Sequence, residues 1–245
     1  MTIIFALLAL LAEIIGTVGG FGSSLFFVPL AGLFFDFKTV LGITAVFHVF
    51  SNLSKLILFR KTIDWKLSLL FGIPSVAFVI LGAWLTNKIN FRYDQLFLAL
   101  FLISFSALLL LKPDFKLQAN NLTSITGGSF AGFLAGFIGT GGAIRGLSLA
   151  AYNLEKSFFV GTSAAIDMGV DLSRSVIYIS NDYLNPKDYY LLPILFVVSV
   201  IGSYIGKLLL SKINQEHFRK IVLGLVLGVG IFMFVRSSID LTKNL

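Results

Sequence analysis

Gly16-Thr-Val-Gly-Gly-Phe-Gly-Ser-Ser24 stands in the middle of an apolar run that extends from Thr2 to Phe35. Drawn as one helix at 1.5 Å per residue, that run would measure roughly 50 Å, against a hydrocarbon core of about 30 Å. Small residues also let helices pack closely in membranes. A cluster this dense in glycine, with Thr17, Ser23 and Ser24 mixed in, weakens a helix more than it tightens a helix pair, so a break is predicted here. A second over-long run, Asn121 to Leu154, carries a matching interruption at Gly136-Phe-Ile-Gly-Thr-Gly-Gly142. Six shorter apolar segments read as ordinary spans: Val40 to Phe59, Leu67 to Leu85, Leu96 to Leu111, Ser157 to Ile179, Tyr190 to Leu210 and Ile221 to Val235.

Composition agrees with a bilayer as solvent. Only 13% of the 245 residues are charged and 57% are hydrophobic, whereas a soluble domain carries about a quarter charged residues. The chain is therefore read as an all-α integral membrane protein. Its net charge of +7 sits mostly in short loops between apolar runs, where membrane proteins carry basic residues, so a nucleic-acid partner is not expected. Cysteine is absent, which removes disulfides and thiolate chemistry. The first fifteen residues lack a basic start and contain Glu13, unlike a cleaved signal peptide. No soluble domain longer than a loop is expected.

The two interruptions belong to a wider repeat. Gly19 aligns with Gly139 and Gly22 with Gly142 at an offset of 120, and Gly42 with Gly161, Ser54 with Ser173 and Pro74 with Pro193 at 119. Asn52-Leu-Ser-Lys55 matches Asp171-Leu-Ser-Arg174 in register. The expected organisation is two homologous halves, 1–112 and 121–245, joined by a loop at 113–120, each made of a glycine-broken segment plus three transmembrane helices. If each broken segment is a hairpin that dips in and returns, every half has an odd number of full spans and the repeats are inverted. The basic loops around Arg60, Lys112, Lys156 and Lys212–Lys220 then share one face, which would be cytoplasmic, with both termini outside. Paired broken helices in two related halves are the usual plan of secondary transporters.

Polar groups inside the spans fall into a pattern. His48, Asn52 and Lys55, at i, i+4 and i+7, share one helix face, and their partners at offset 119 are Asp167, Asp171 and Arg174. Lipid solvates neither face, so both should turn inward. Arg145 follows the second break and belongs near the start of a half-helix, where unpaired backbone N–H groups and a partial positive charge favour an anion. Arginine suits oxyanions through its forked donors. The bottom-up expectation is an anion site formed by Gly19, Gly20, Gly22 and Ser23 of the first break, Gly139, Thr140, Gly141 and Gly142 of the second, and Asn52, Lys55, Arg145, Asp171 and Arg174. Lys55 is equally placed to snorkel towards Arg60, and Asp171 to pair with Arg174 as structural glue. Asp167 has no cation near it in sequence and is the first candidate for carrying a coupled proton; His48 and Glu13 follow.

The break followed by Leu25-Phe-Phe-Val-Pro-Leu30 and Gly42-Ile-Thr-Ala45, with Gly139-Thr-Gly-Gly142 and Gly161-Thr-Ser-Ala164 as second-half counterparts, resembles the TauE/SafE-type sulfite exporter family over nearly the whole chain. The second break lacks an equivalent of Pro29, and Arg145 stands where an apolar residue is expected. The resemblance implies a multi-pass transporter of a bacterial or archaeal cell membrane that moves sulfite, an organosulfonate such as sulfoacetate, or thiosulfate. A passive anion channel is the alternative reading, since broken helices and cationic linings suit it equally. An enzyme is not expected, for no Ser/His arrangement or metal-ligand spacing occurs. No cofactor is implied. The partners expected are a small anion and the lipid bilayer, and a homo-oligomer is compatible with both.

Overall fold

A computed structural model of the chain describes residues 2–20, 22–86, 94–115, 117–138 and 141–243. The regular structure among them is helical. The first over-long run becomes α1 (Thr2–Gly19) and α2 (Ser24–Ala31), and the second becomes α6 (Asn121–Ile138) and α7 (Gly141–Ala151). The intervening spans are α3 (Phe37–Leu58), α4 (Trp65–Thr86), α5 (Asp94–Leu111), α8 (Lys156–Ser180), α9 (Leu191–Lys212) and α10 (Gln215–Lys243). Asp36 caps α3, its carboxylate accepting the amides of Lys38 and Thr39, and Glu155 caps α8 through the amides of Ser157 and Phe158; such caps satisfy donors that a helix start otherwise leaves open.

The chain reverses at each interruption. Between α1 and α2, Gly20 and Gly22 take φ of +74° and +93°, a region that costs a side chain dearly and glycine little. Gly16 then packs against the Ser23 backbone, where a Cβ would lie 2.6 Å from Ser23 Cα. At the other end of this hairpin the Phe5 ring meets Phe34 and Phe35 at 5.7 and 5.3 Å. In the second run the Tyr152 hydroxyl, just past α7, donates to Thr123 O near the start of α6 at 2.8 Å, and Leu117 N donates to Ala151 O at 2.8 Å.

The helix ends sort to two sides. On one, Lys207 Nζ donates to Leu58 O at 2.6 Å, Lys156 Nζ to Leu210 O at 3.0 Å and Arg219 Nη2 to Phe115 O at 3.1 Å. Three basic side chains thus cover carbonyls at or just past the C-terminal ends of α3, α9 and α5, where cations are favoured. Thr62 Oγ1 donates to Ser157 O at 3.2 Å on the same side, so the basic loops gather there. On the other side Gly42, in the second turn of α3, packs against Tyr183 O beyond α8, and Lys38 lies over the Tyr183 ring at 5.7 Å.

Five described helical stretches are long and apolar enough to cross a membrane: Thr2–Gly19, Lys38–Leu58, Trp65–Gly82, Leu191–Lys212 and Gln215–Ile239. The apolar stretch in α5, Leu96–Leu111, is shorter. α8, read from sequence as an ordinary span over Ser157 to Ile179, is not one of the five: Lys156, Asp167, Asp171 and Arg174 lie along it, and the two aspartates are buried. Lipid-type surface remains on its outer face at Leu172, Val176 and Ile179.

Pairings between helices obey an exchange rule. α1 packs on α9 as α6 packs on α4; α3 packs on α9 as α8 packs on α4; α3 meets α8 and α5 meets α10. Swapping α1–α5 for α6–α10 turns α1–α9 into α6–α4 and α3–α9 into α8–α4, and leaves α3–α8 and α5–α10 as they are. Small residues set close approaches between helices outside the interruptions as well. A Cβ on Gly128 or Gly132 of α6 would overlap the Phe71 or Ser75 carbonyl of α4, while Gly202 and Gly206 of α9 admit Glu13 and Thr17 of α1. Without a hydrophobic drive between helices in lipid, such close packing is a principal source of association. Gly132→Ala should therefore lower the midpoint of thermal unfolding in detergent by an amount equivalent to ~1–3 kcal/mol of overpacking, whereas Gly224→Ala, with open space around the new methyl, should leave it unchanged.

Candidate functional site

Glu13 lies in the last third of α1 and is wholly enclosed. A carboxylate out of water persists only when its lone pairs are filled and its charge is met. Thr17, one turn on, donates to Oε1 at 3.1 Å; Ser51 and Lys55 of α3 reach the same oxygen at 2.7 and 2.9 Å; and Ser203 of α9 reaches it at 2.8 Å. Ser23, in the turn between α1 and α2, lies 2.9 Å from Oε2. Gly202 makes this convergence sterically feasible, since a Cβ there would stand 2.7 Å from Glu13 Cγ. Lys55 also donates to Ser51 Oγ at 2.7 Å. The ion pair ties the first hairpin to α3, and the hydroxyls tie both to α9.

The contacts continue across the middle of the protein. Ser23 Oγ is 3.2 Å from His48 Nε2, and His48 Nδ1 is 3.4 Å from Asp171 Oδ2 on α8. Asn52 Nδ2 donates to that same oxygen at 3.0 Å, and Arg174 Nη1 lies 3.4 Å from Oδ1. Asn52 and Asp171 are the matched residues at offset 119, so matched positions of the two halves touch each other. Beside this chain Arg145, on the second turn of α7, pairs through Nη1 with Asp167 Oδ1 and donates from Nε to Ser163 Oγ at 3.0 Å.

These groups border a polar cleft, part of it open to the outside. Ser24 and Gly142, at the starts of the two short helices, face it from α2 and α7. Arg145, Asp167, Asp171, Arg174 and His48 supply its charged and titratable wall, and α4 and α6 close it with Ser75, Ala131 and Gly132. Both arginines are held by carboxylates, so an entering anion has to compete with Asp167 or Asp171. Arg174 is the more exposed of the two, with 26% of its side chain accessible against 6% for Arg145.

Of the residues expected to bind substrate, Gly142, Arg145, Asp171 and Arg174 line the cleft. Two of the three proton candidates, His48 and Asp167, line it as well, and Glu13 lies behind it. Gly19, Gly20, Gly22 and Ser23 form the turn of the first hairpin, behind the lining, and Asn52 reaches it only through Asp171. Gly141 opens α7. Gly139 and Thr140 fall outside the described residues. Two expectations change. Lys55 neither snorkels nor faces the cleft, because Glu13 offers it an internal counter-charge. Asp167, read as lacking a cation, has one in Arg145, which arrives from α7 at a separation of 22 residues that linear spacing does not reveal. Ser75, Ser163 and Ser203 carry no sequence signal, since lone serines are common in membrane helices.

The site and its scaffold define a helical membrane protein whose interior, not its surface, carries the organised polar chemistry. The profile of the sulfite exporter TauE/SafE family matches residues 5–233, and the chain belongs to that family of membrane transporters. Comparison with curated proteins and with solved structures found no match.

Leaving a buried charge without its partner costs about 3–5 kcal/mol. Lys55→Met should therefore destabilise the folded protein strongly, and Lys55→Met combined with Glu13→Gln should recover much of the loss. A double-mutant cycle on thermal unfolding in detergent checks this; additive losses would mean that the two groups do not interact.

Proposed function

We propose that the protein is a secondary active transporter of a small, sulfur-containing anion: sulfite, an organosulfonate such as sulfoacetate, or thiosulfate. The observation that carries this reading is the cleft between the starts of α2 and α7, walled by Arg145 and Arg174. Helix starts present N–H groups to an anion, and two guanidinium groups add forked donors matched to oxyanions. Family membership supports the sulfur chemistry.

The architecture proposed is a pair of inverted repeats, 1–112 and 121–245 with 113–120 between them, in the cell membrane. Three observations support it: the exchange rule among helix pairs, the contact between Asn52 and Asp171, and the opening of the two hairpins on opposite sides. Transport follows as one half rocks against the other around the cleft, exposing Arg145 and Arg174 to each side in turn. Carboxylates hold both arginines, so the site has counter-ions of its own and is not a bare cationic pore. The side that gathers Lys156, Lys207 and Arg219 is placed in the cytoplasm, with Met1 and Leu245 outside.

Binding to purified protein across sulfite, thiosulfate, sulfate, sulfonates and non-sulfur carboxylates tests the site. Arg145→Ala and Arg174→Ala should each weaken binding of the preferred anion by about tenfold or more, the ~1.5–3 kcal/mol of a hydrogen bond to a charged group. Unchanged affinity in both variants would displace the site. Uphill accumulation in liposomes under an imposed gradient separates a transporter from a channel. A reporter fused after Leu245 should be inactive in the cytoplasm; activity there would reverse the orientation.

A further inference from the structure

Ser23 occupies the N-cap of α2 yet makes no cap hydrogen bond with its side chain, although serine there ordinarily accepts an amide of the first turn. Its hydroxyl is instead fully buried between Glu13 Oε2, at 2.9 Å, and His48 Nε2, at 3.2 Å. A hydroxyl has one hydrogen, so it serves one of these acceptors at a time. The other nitrogen of His48 faces the Asp171 carboxylate, which accepts and does not donate.

Counting hydrogens leaves two arrangements in which both ring nitrogens are satisfied. In the first, Ser23 donates to Nε2, a neutral His48 donates from Nδ1 to Asp171, and Glu13 Oε2 loses the serine hydrogen. In the second, Nε2–H donates to Ser23 Oγ, whose hydrogen turns to Glu13, while Nδ1–H still donates to Asp171; His48 is then an imidazolium. The two differ by one proton. The charges around the ring decide when the second is favoured. Glu13 is matched by Lys55, Asp167 by Arg145 and Asp171 by Arg174, and Ser203 of α9 meets Glu13 rather than the ring. An anion that draws Arg174 away removes the guanidinium facing Asp171 and adds a negative charge of its own beside His48.

We propose that His48 takes up a proton as the anion engages Arg174, so that cargo and proton enter the cleft together, one proton per cargo. The inference rests on the anion site proposed above. The proton comes from water in the cleft, which His48 lines, and forms the Nε2–H bond; no electrons are exchanged. The ring is then a bridge with both nitrogens donating, from Ser23 at the turn of the first hairpin to Asp171 of the second half. Cargo binding is thereby coupled to the hydrogen bonds that fix the turn of the hairpin against Glu13.

The chain has two histidines, and His217 is exposed on α10, bonded locally to Asn214. His217→Gln protein labelled with 15N-histidine therefore reports His48 alone. Thiosulfate, an anion without buffering of its own near neutral pH, is the probe. On adding saturating thiosulfate at pH 7.5 or above, where imidazole is mostly neutral, both ring nitrogens should become protonated. Binding in two buffers of different ionisation heat should show uptake of about one proton per anion. His48→Gln should bind thiosulfate with no proton uptake. A ring that stays neutral with thiosulfate bound overturns the proposal and leaves the anion site standing. Proton uptake that persists in His48→Gln also overturns it, and the His48 ring in labelled His217→Gln protein decides the matter should that variant not fold. Absence of binding by thiosulfate, sulfite and methanesulfonate alike sinks the anion site and the inference together.

Discussion

The carboxylate of Glu13 is wholly enclosed, yet it gathers groups from α1, α3, α9 and the turn after α1. In hydrocarbon an ionised group has no water to fall back on, so its partners must come from protein and must arrive together. Lys55 supplies the opposite charge and hydroxyls supply the remaining donors. That requirement fixes α1 against α3 at Lys55 and against α9 at Gly202, and holds the hairpin turn where Ser23 reaches the carboxylate. The helices can then pack on small residues, because the polar centre has already set their depth.

From this centre the polar contacts run through His48 to Asp171 and Arg174, from near the C-terminal end of α3 towards that of α8. Lys55 is three residues, roughly 5 Å, from the end of α3, and Arg174 is six residues, roughly 9 Å, from the end of α8. Because Asn52 and Asp171 meet at one level, Lys55 and Arg174, each three residues further along their antiparallel helices, differ in depth by only about 9 Å, and the polar groups form a central layer. It also crosses between the halves, since Ser23 and His48 belong to the first and Asp171 to the second. The rocking proposed above would break or remake contacts at His48 and Asp171. Arg145 and Asp167 form a separate pair on the cleft wall.

The sequence carried the helices and the inward faces well, because both are written in local spacing. Long apolar runs mark the helices, and His48, Asn52 and Lys55 at helical spacing must share a face. Asp171 and Arg174 were legible as a pair for the same reason. Pairing across helices was not. Nothing in the spacing of Glu13 and Lys55, or of Arg145 and Asp167, shows that they meet. Lys55 and Asp167 were therefore read as open groups when each has a counter-ion. The glycines of close helix packing, Gly128, Gly132, Gly202 and Gly206, look in sequence like the others; only what lies across from them, the α4 backbone for the first two and the Glu13 and Thr17 side chains for the others, tells them apart.

Transport as proposed depends on an anion held in the cleft between the two hairpins, and the most direct test of that site is a structure determined with sulfite bound. Density between Arg145 and Arg174, within hydrogen-bond reach of the starts of α2 and α7, is the predicted result. Density at another place in the protein, with both arginines still on Asp167 and Asp171, would contradict it.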